Sequence, residues 1–129
     1  MNRQEILDQL RSFPYDRNGY WVIAGSAMVL RGIKEHTADI DLGCSSKLAD
    51  RLSADGYPFR YTESGNRQFK FGDSIEIFEN WLQDKVETME GYQVVSLQGL
   101  IAMKQKLGRE KDLKDIEMIR AYLKQKQGE

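Results

Sequence analysis

Cysteine is nearly missing from this chain: Cys44 is the only one in 129 residues. No internal disulfide is possible, and an intracellular, cytoplasmic setting is expected. Cys44 also lacks a second cysteine or a histidine at metal-ligand spacing, so it reads as a small buried residue and not a metal ligand. Histidine is as scarce: His36 is the only one, and it falls in a polar connection where a solvated ring is expected. The two prolines, Pro14 and Pro58, each follow the end of a helical pattern. No apolar run approaches the ~20 residues needed to span a membrane. The opening segment, residues 1–10, is polar and amphipathic and does not read as a signal peptide. An excess of charge of one sign is lacking too. With 19 basic and 20 acidic residues, the chain has no bulk footprint for nucleic acid or a membrane surface.

What is present is an ordinary globular balance, 40% hydrophobic and 30% charged. The length suits one domain over residues 1–129, with room for a layered α/β core but not for a separate substrate domain. The chain is organised around residues 20–42. Trp21, Val22, Ile23 and Ala24 predict a central strand. Gly25 permits a tight turn, Ser26 stands where a helix N-cap is expected, and Ala27, Met28, Val29 and Leu30 continue that helix. A polar connection then leads to a second strand carrying Asp39 and Asp41. Residues two apart in a strand share a face, so both carboxylates project together, opposite Ile40 and Leu42. Such a pair resists joint ionisation, and a divalent cation with oxygen ligands, Mg²⁺ or Mn²⁺, would relieve the conflict. Free amides at the helix start attract phosphate. An anion cradle and a carboxylate pair one strand away are parts for handling a nucleoside triphosphate.

Elsewhere the pattern predicts a helix over residues 2–13, with Ile6, Leu7, Leu10 and Phe13 on one face. A serine cap after Cys44 opens a short helix that ends near Ala54. Strands are expected at 59–61, 67–71 and 74–78, the last of them closing the sheet. There Ile75 and Ile77 share one face, and Ser74, Glu76 and Phe78 the other. Residues 80–89, with Trp81, Leu82 and Val86, read as a helix or loop at the core edge. Trp81 is expected to pack there, with stacking on a base as the alternative. Val94 and Val95 suggest a short extended stretch. Ser96 caps a helix carrying Leu97, Leu100, Ile101 and Met103. Gly108 interrupts it, and a final helix over about 109–126 turns Leu113, Ile116, Ile119 and Leu123 inward. The C-terminal helical pair thus spans about 96–127.

Gly25-Ser26 followed by Asp39-Ile40-Asp41 resembles the nucleotidyltransferase superfamily with the polymerase-beta-like fold. The flavour of Ala27, Leu30-Arg31-Gly32 and Thr37 looks most like small stand-alone bacterial members, relatives of antibiotic and toxin–antitoxin nucleotidyltransferases. A second likeness lies in Ser96-Leu97, Leu100, Lys104, Arg109, Lys111-Asp112 and Asp115-Ile116. The resemblance covers about residues 20–116. It implies an α/β (α+β) fold: a mixed, mostly antiparallel sheet flanked by helices. It also implies Mg²⁺- or Mn²⁺-dependent transfer of a nucleoside monophosphate from an NTP such as ATP to a hydroxyl acceptor, with release of pyrophosphate. Asp39 and Asp41 would hold the metal, with Glu76 as third ligand or general base; many members carry Asp at that position. Gly25 and Ser26 would hold the outer phosphates, Lys104 would lie near them with Asp112 as its orienting partner, and Arg31, Lys34, Arg67 and Lys70 are further candidates that otherwise read as surface charge. The acceptor could be a small molecule, a tRNA or a protein, and a homodimer is expected to complete the cleft. The alternative is a weakly active or inactive member serving as a toxin–antitoxin or regulatory partner.

Overall fold

The computed structural model describes residues 1–81 and 85–127. In chain order it contains α1 (Arg3–Ser12), β1 (Tyr20–Ile23), α2 (Ala24–Leu30), β2 (Ile40–Cys44), α3 (Ser46–Ala54), β3 (Phe59–Tyr61) and β4 (Arg67–Phe71). There follow β5 (Ile75–Glu79), β6 (Val86–Met89), β7 (Tyr92–Val95), α4 (Leu97–Leu107) and α5 (Glu110–Gln127). The strands make one seven-stranded sheet in the order β3-β4-β5-β2-β1-β7-β6. β1 runs parallel to β7 and β2 parallel to β5, and the other neighbours are antiparallel. The mixed, mostly antiparallel α+β architecture expected from the sequence is therefore the one formed.

Register and alternation sort the side chains onto two faces. One face carries Val22, Ile40, Leu42, Phe69, Ile75, Ile77 and Val94, each no more than 2% exposed. α1 supplies Ile6, Leu7 and Leu10 to this core, and α3 supplies Leu48 and Leu52. Phe13, at the exit of α1, meets Phe71 and Tyr20 edge-on with ring centroids 4.9 and 5.1 Å away. Such pairs contribute about 0.5–1.5 kcal/mol beyond their burial. Cys44 is fully buried, and burial pushes its thiol up to about 12. The same face also holds an ion pair in which Arg67 Nη2 reaches Glu79 Oε2 at 2.7 Å. Hydrogen bonds from Arg67 hold the Glu79 carboxyl down to about 2.

The other face presents Trp21, Ile23, Asp41, Gly43, Glu76 and Phe78, because β1 residues Trp21 and Ile23 pair with Gly43 and Asp41, and Asp41 pairs with Glu76. α4 and α5 pack against each other, and Met103 and Leu107 of α4 border this face.

Several local expectations are corrected. β5 does not close the sheet: β6 and β7 follow as a hairpin, turning at Glu90 and Gly91, both with positive φ (55° and 82°). That is the conformation of a two-residue hairpin turn, disguised in the sequence by Glu where Asn or Asp is usual. Ser26 is not the N-cap of α2. The helix starts at Ala24, its cap position is Ile23, and no side chain caps it. Leu113 is not inward but 54% exposed. Leu82 falls outside the described residues.

Candidate active site

Strand β1 ends in a tight turn. Ala24 sits at φ 56°, left-handed for a residue with a Cβ, at a cost of roughly 1–2 kcal/mol. Gly25 follows, and a Cβ there would lie 2.8 Å from Thr37 Oγ1. A glycine is thus required for the start of α2 to touch the loop that leads to Asp39. Ser26 is fully buried. Its hydroxyl donates to the Ile23 carbonyl at 2.8 Å and accepts from the Asp41 amide at 3.2 Å. Its side chain is therefore committed to fastening β2 onto α2, which replaces the expectation of a hydroxyl offered to phosphate. The first-turn amides of Gly25 and Ser26 are ones for which the helix itself supplies no acceptor.

Asp41 stands in the middle of the sheet. Its parallel neighbour in register is Glu76, and Asp39 lies one residue ahead of β2, exposed. Burial first, then the charges of Glu76 and Asp39, push the Asp41 carboxyl up to about 6, while Lys104 and Lys111 pull the other way. The three acids singled out in the sequence thus lie near enough to influence one another's charge. Among the described residues, no group of three His, Cys, Asp or Glu side chains is gathered closely enough to enclose a metal. Glu76 Oε2 accepts a hydrogen bond from Gln68 Nε2 at 3.3 Å.

Beside Asp41 opens a cleft of about 550 Å³, bordered by Ala24, Phe78, Trp81, Met103, Lys106 and Arg109. Trp21 is tied to the Trp81 side of this cleft. Its indole N–H donates to the Trp81 carbonyl at 2.9 Å, across Gly43. A Cβ on Gly43 would fall 2.2 Å from that indole nitrogen, so glycine is the residue that lets the ring lie flat over β2. The volume is within the usual range for small-molecule sites.

The other candidates divide sharply. Lys104 is close enough to Asp41 to influence it, yet its side chain is only 5% exposed. Its ammonium donates to Asp115 Oδ2 at 2.8 Å and stands 3.8 Å from Asp112 Oδ1. Asp115, not Asp112, is thus its principal partner, a correction that burial and distance both support. Asp115 also binds Lys34 Nζ at 2.7 Å. Burial raises the Asp115 carboxyl, and the hydrogen bonds from Lys104 and Lys34 outweigh it, leaving it below the usual range. Asp112 instead accepts from Arg109 Nε at 2.6 Å. Arg31 is not in the cleft. Its guanidinium, 8% exposed, donates to the Val95 carbonyl at 2.8 Å and to Glu87 at 2.9 Å, tying α2 to the β6–β7 hairpin. Arg67 is held by Glu79 and Asp50 on the opposite sheet face. His36 is exposed in its loop. Sequence reasoning missed Lys106 as a cleft residue, whereas Arg109 belongs to the Arg109–Asp112 cluster that the resemblance places near the mouth of the site, and it borders the cleft. The one available signal for Lys106 was a cationic pair flanking the Gly108 break that ends α4.

No sequence-family model matches the chain, and no curated protein matches it. Solved structures do. A provisionally assigned nucleotidyltransferase from Thermotoga maritima superposes with a TM-score of 0.63 at 19% identity, over 97% of this chain and 96% of that one. ANT(2″)-Ia, seen in complex with adenylyl-2″-tobramycin, superposes with a TM-score of 0.63 at 15% identity, over 92% of this chain and 88% of its own. At these identities the likeness is one of architecture. The chain shares the fold of these two structures.

Proposed function

We propose that the protein transfers a nucleoside monophosphate from an NTP, ATP being the first to test, to a hydroxyl acceptor, releasing pyrophosphate. The observation that carries this reading is Asp41. It is a carboxylate set against Glu76 and near Asp39, with its ionisation opposed, at the edge of a cleft of about 550 Å³. A group of carboxylates that destabilise one another in the free protein suits a divalent cation, because the cation cancels the repulsion. Asp39 and Asp41 would hold Mg²⁺ or Mn²⁺, with Glu76 beside them as the base. When bound, the metal would supply charge neutralisation at the transferring phosphoryl group and the leaving pyrophosphate.

The chain's own groups supply the rest. The amides of Gly25 and Ser26, uncapped at the start of α2, donate to the outer phosphates. Ser26, through its bond to the Asp41 amide, fixes the β2 backbone so that Asp41 keeps its place. Glu76, as that base, takes the proton from the acceptor hydroxyl. Trp81 and Phe78 offer apolar faces to the nucleobase, and Lys106 and Arg109 border the same cleft. Lys104 contributes as a buried charge near Asp41 and, through Asp115, holds α4, α5 and the Lys34 loop together.

Calorimetry with Mg²⁺ and ATP tests the reading. The wild type binds one ATP only when the metal is present, and Asp39→Ala/Asp41→Ala binds none. Metal-independent ATP binding retained by that variant would sink it.

A further inference from the structure

The face that holds Asp41 and Glu76 continues over β4 and β3 into a second groove of about 310 Å³. Its floor is set by register. Lys70 stands opposite Glu76, and Arg60 opposite Gln68. Gln68 links the two ends: its amide nitrogen donates to Glu76 at 3.3 Å, and its amide oxygen accepts from Arg60 Nε at 3.3 Å. Lys70 makes no ion pair among the described residues, and neither does Arg60. Among the described residues Glu76 is the only acidic one lining this groove, whereas Asp41 lines the larger cleft and not this one. The two carboxylates thus mark the boundary between two compartments. A hydroxyl that gives its proton to Glu76 approaches through the smaller one, past two cations that carry no ion pair among the described residues.

We infer that the acceptor is a small hydroxyl compound bearing a phosphate, seated in the β3–β4–β5 groove with its phosphate on Arg60 and Lys70 and its hydroxyl at Glu76. This rests on the nucleotidyl-transfer reading and names its acceptor class. A guanidinium and an ammonium flanking an open groove suit phosphate oxygens. A polyamine such as tobramycin would meet those two cations with one carboxylate to set against them. The groove lies at the small end of ligand sites, and the chain's balanced charge, 19 basic to 20 acidic, offers no track for a nucleic-acid backbone. In the reaction the acceptor oxygen forms a bond to the α-phosphorus. The bond from that phosphorus to the bridging oxygen breaks, pyrophosphate leaves with the electron pair, and the hydroxyl proton passes to Glu76.

The test uses the full chain with Mg²⁺, and glycerol phosphate and ribose phosphate as probes beside unphosphorylated glycerol and ribose, tobramycin and a short oligoribonucleotide. Binding is read by amide NMR with a non-hydrolysable ATP analogue in place, and transfer by ATP radiolabelled at its α-phosphate. A phosphorylated probe shifts amides at Arg60, Lys70 and Glu76 and is labelled, and its unphosphorylated parent does neither. Arg60→Gln and Lys70→Gln each raise its KM roughly tenfold or more, Lys70→Arg restores it, and affinity for the ATP analogue stays within about twofold, the pattern of lost ground-state binding. Labelling of tobramycin or of the oligoribonucleotide alone overturns the inference. So does a KM indifferent to both glutamine variants, or a failure of either phosphate to bind while the ATP analogue binds normally; these leave nucleotidyl transfer standing. Absence of Mg²⁺-dependent ATP binding removes both readings together.

Discussion

The two faces of the sheet each hold a carboxylate largely out of water, and they treat it in opposite ways. On the helix-covered face, Glu79 meets Arg67 at 2.7 Å, accepts a further bond from the Arg67 amide, and is held down to about 2. On the cleft face, Asp41 meets Glu76 and Asp39 instead and is pushed up to about 6. The first arrangement satisfies its charge internally and serves the fold. The second meets no direct partner side chain among the described residues and so suits something from outside. The apolar residues follow the same division. Ile40, Leu42, Ile75 and Ile77 close one face, while Asp41, Gly43, Glu76 and Phe78, at the alternate positions of the same strands, line the other.

Four tests bear on that contrast. Exchanging the carboxyl for an amide on each face separates the roles most strongly. Glu76→Gln is expected to lower kcat by about 10²–10⁴-fold, the usual contribution of a positioned base, with the melting temperature little changed. Glu79→Gln should leave the site residues in place but destabilise the chain by about 3 kcal/mol, the scale for stranding one partner of a buried pair. Steady-state kinetics and urea unfolding on both variants check this, and equal losses of activity and stability in the two would erase the distinction.

Ser26→Ala comes next. It removes a hydroxyl that bonds both the Ile23 carbonyl and the Asp41 amide, a loss of about 1–3 kcal/mol. It should also weaken Mg²⁺-ATP binding, because Asp41 is no longer fastened. Stability measured against pH, in chelator, gives a subtler discrimination. Asp41 is raised from 3.8 to about 6, so its ionised form is the costly one. The penalty is complete above about 6, relieved as pH falls through that value, and gone below 3.8. Glu79 is lowered from 4.5 to about 2, so its contribution is complete above 4.5 and lost as pH falls through about 2. Wild type should therefore gain from Asp41 between pH 7 and 5, and Asp41→Asn should not. The smallest effect is at Ala24. Ala24→Gly relieves the left-handed backbone at φ 56°, and a stabilisation of at most about 1 kcal/mol is expected.

Much of this contrast was legible in the residues. Ile40 and Leu42 alternating with Asp39 and Asp41 announced a strand with one dry and one charged face. Glu76 between Ile75 and Ile77 repeated the pattern one strand away. What was hidden depends on partners distant in the chain. Arg31 looks like a free cation after a helix, but its acceptors, Glu87 and Val95, lie on strands that only the folded sheet brings alongside. Lys104 has two acids within reach, Asp112 and Asp115, and helical spacing cannot choose between them across the break at Gly108. Ser26 carries an N-cap signature, and the cap position moved to Ile23 because the chain turns at Ala24 in a conformation that alanine seldom adopts. Arg60 and Lys70 could be assigned to one face only once the β4–β5 register was known.

The close approach at Gly43 has an optical consequence. The chain holds two tryptophans: Trp81 borders the cleft, and the hydrogen bond from the Trp21 indole to the Trp81 carbonyl keeps the second beside it. Indole emission from this protein therefore originates from two neighbouring residues, one of which borders the cleft. A nucleobase settling beside Trp81 should alter its intensity and colour with no label attached, while events on the helix-covered face should leave the spectrum silent until the chain unfolds.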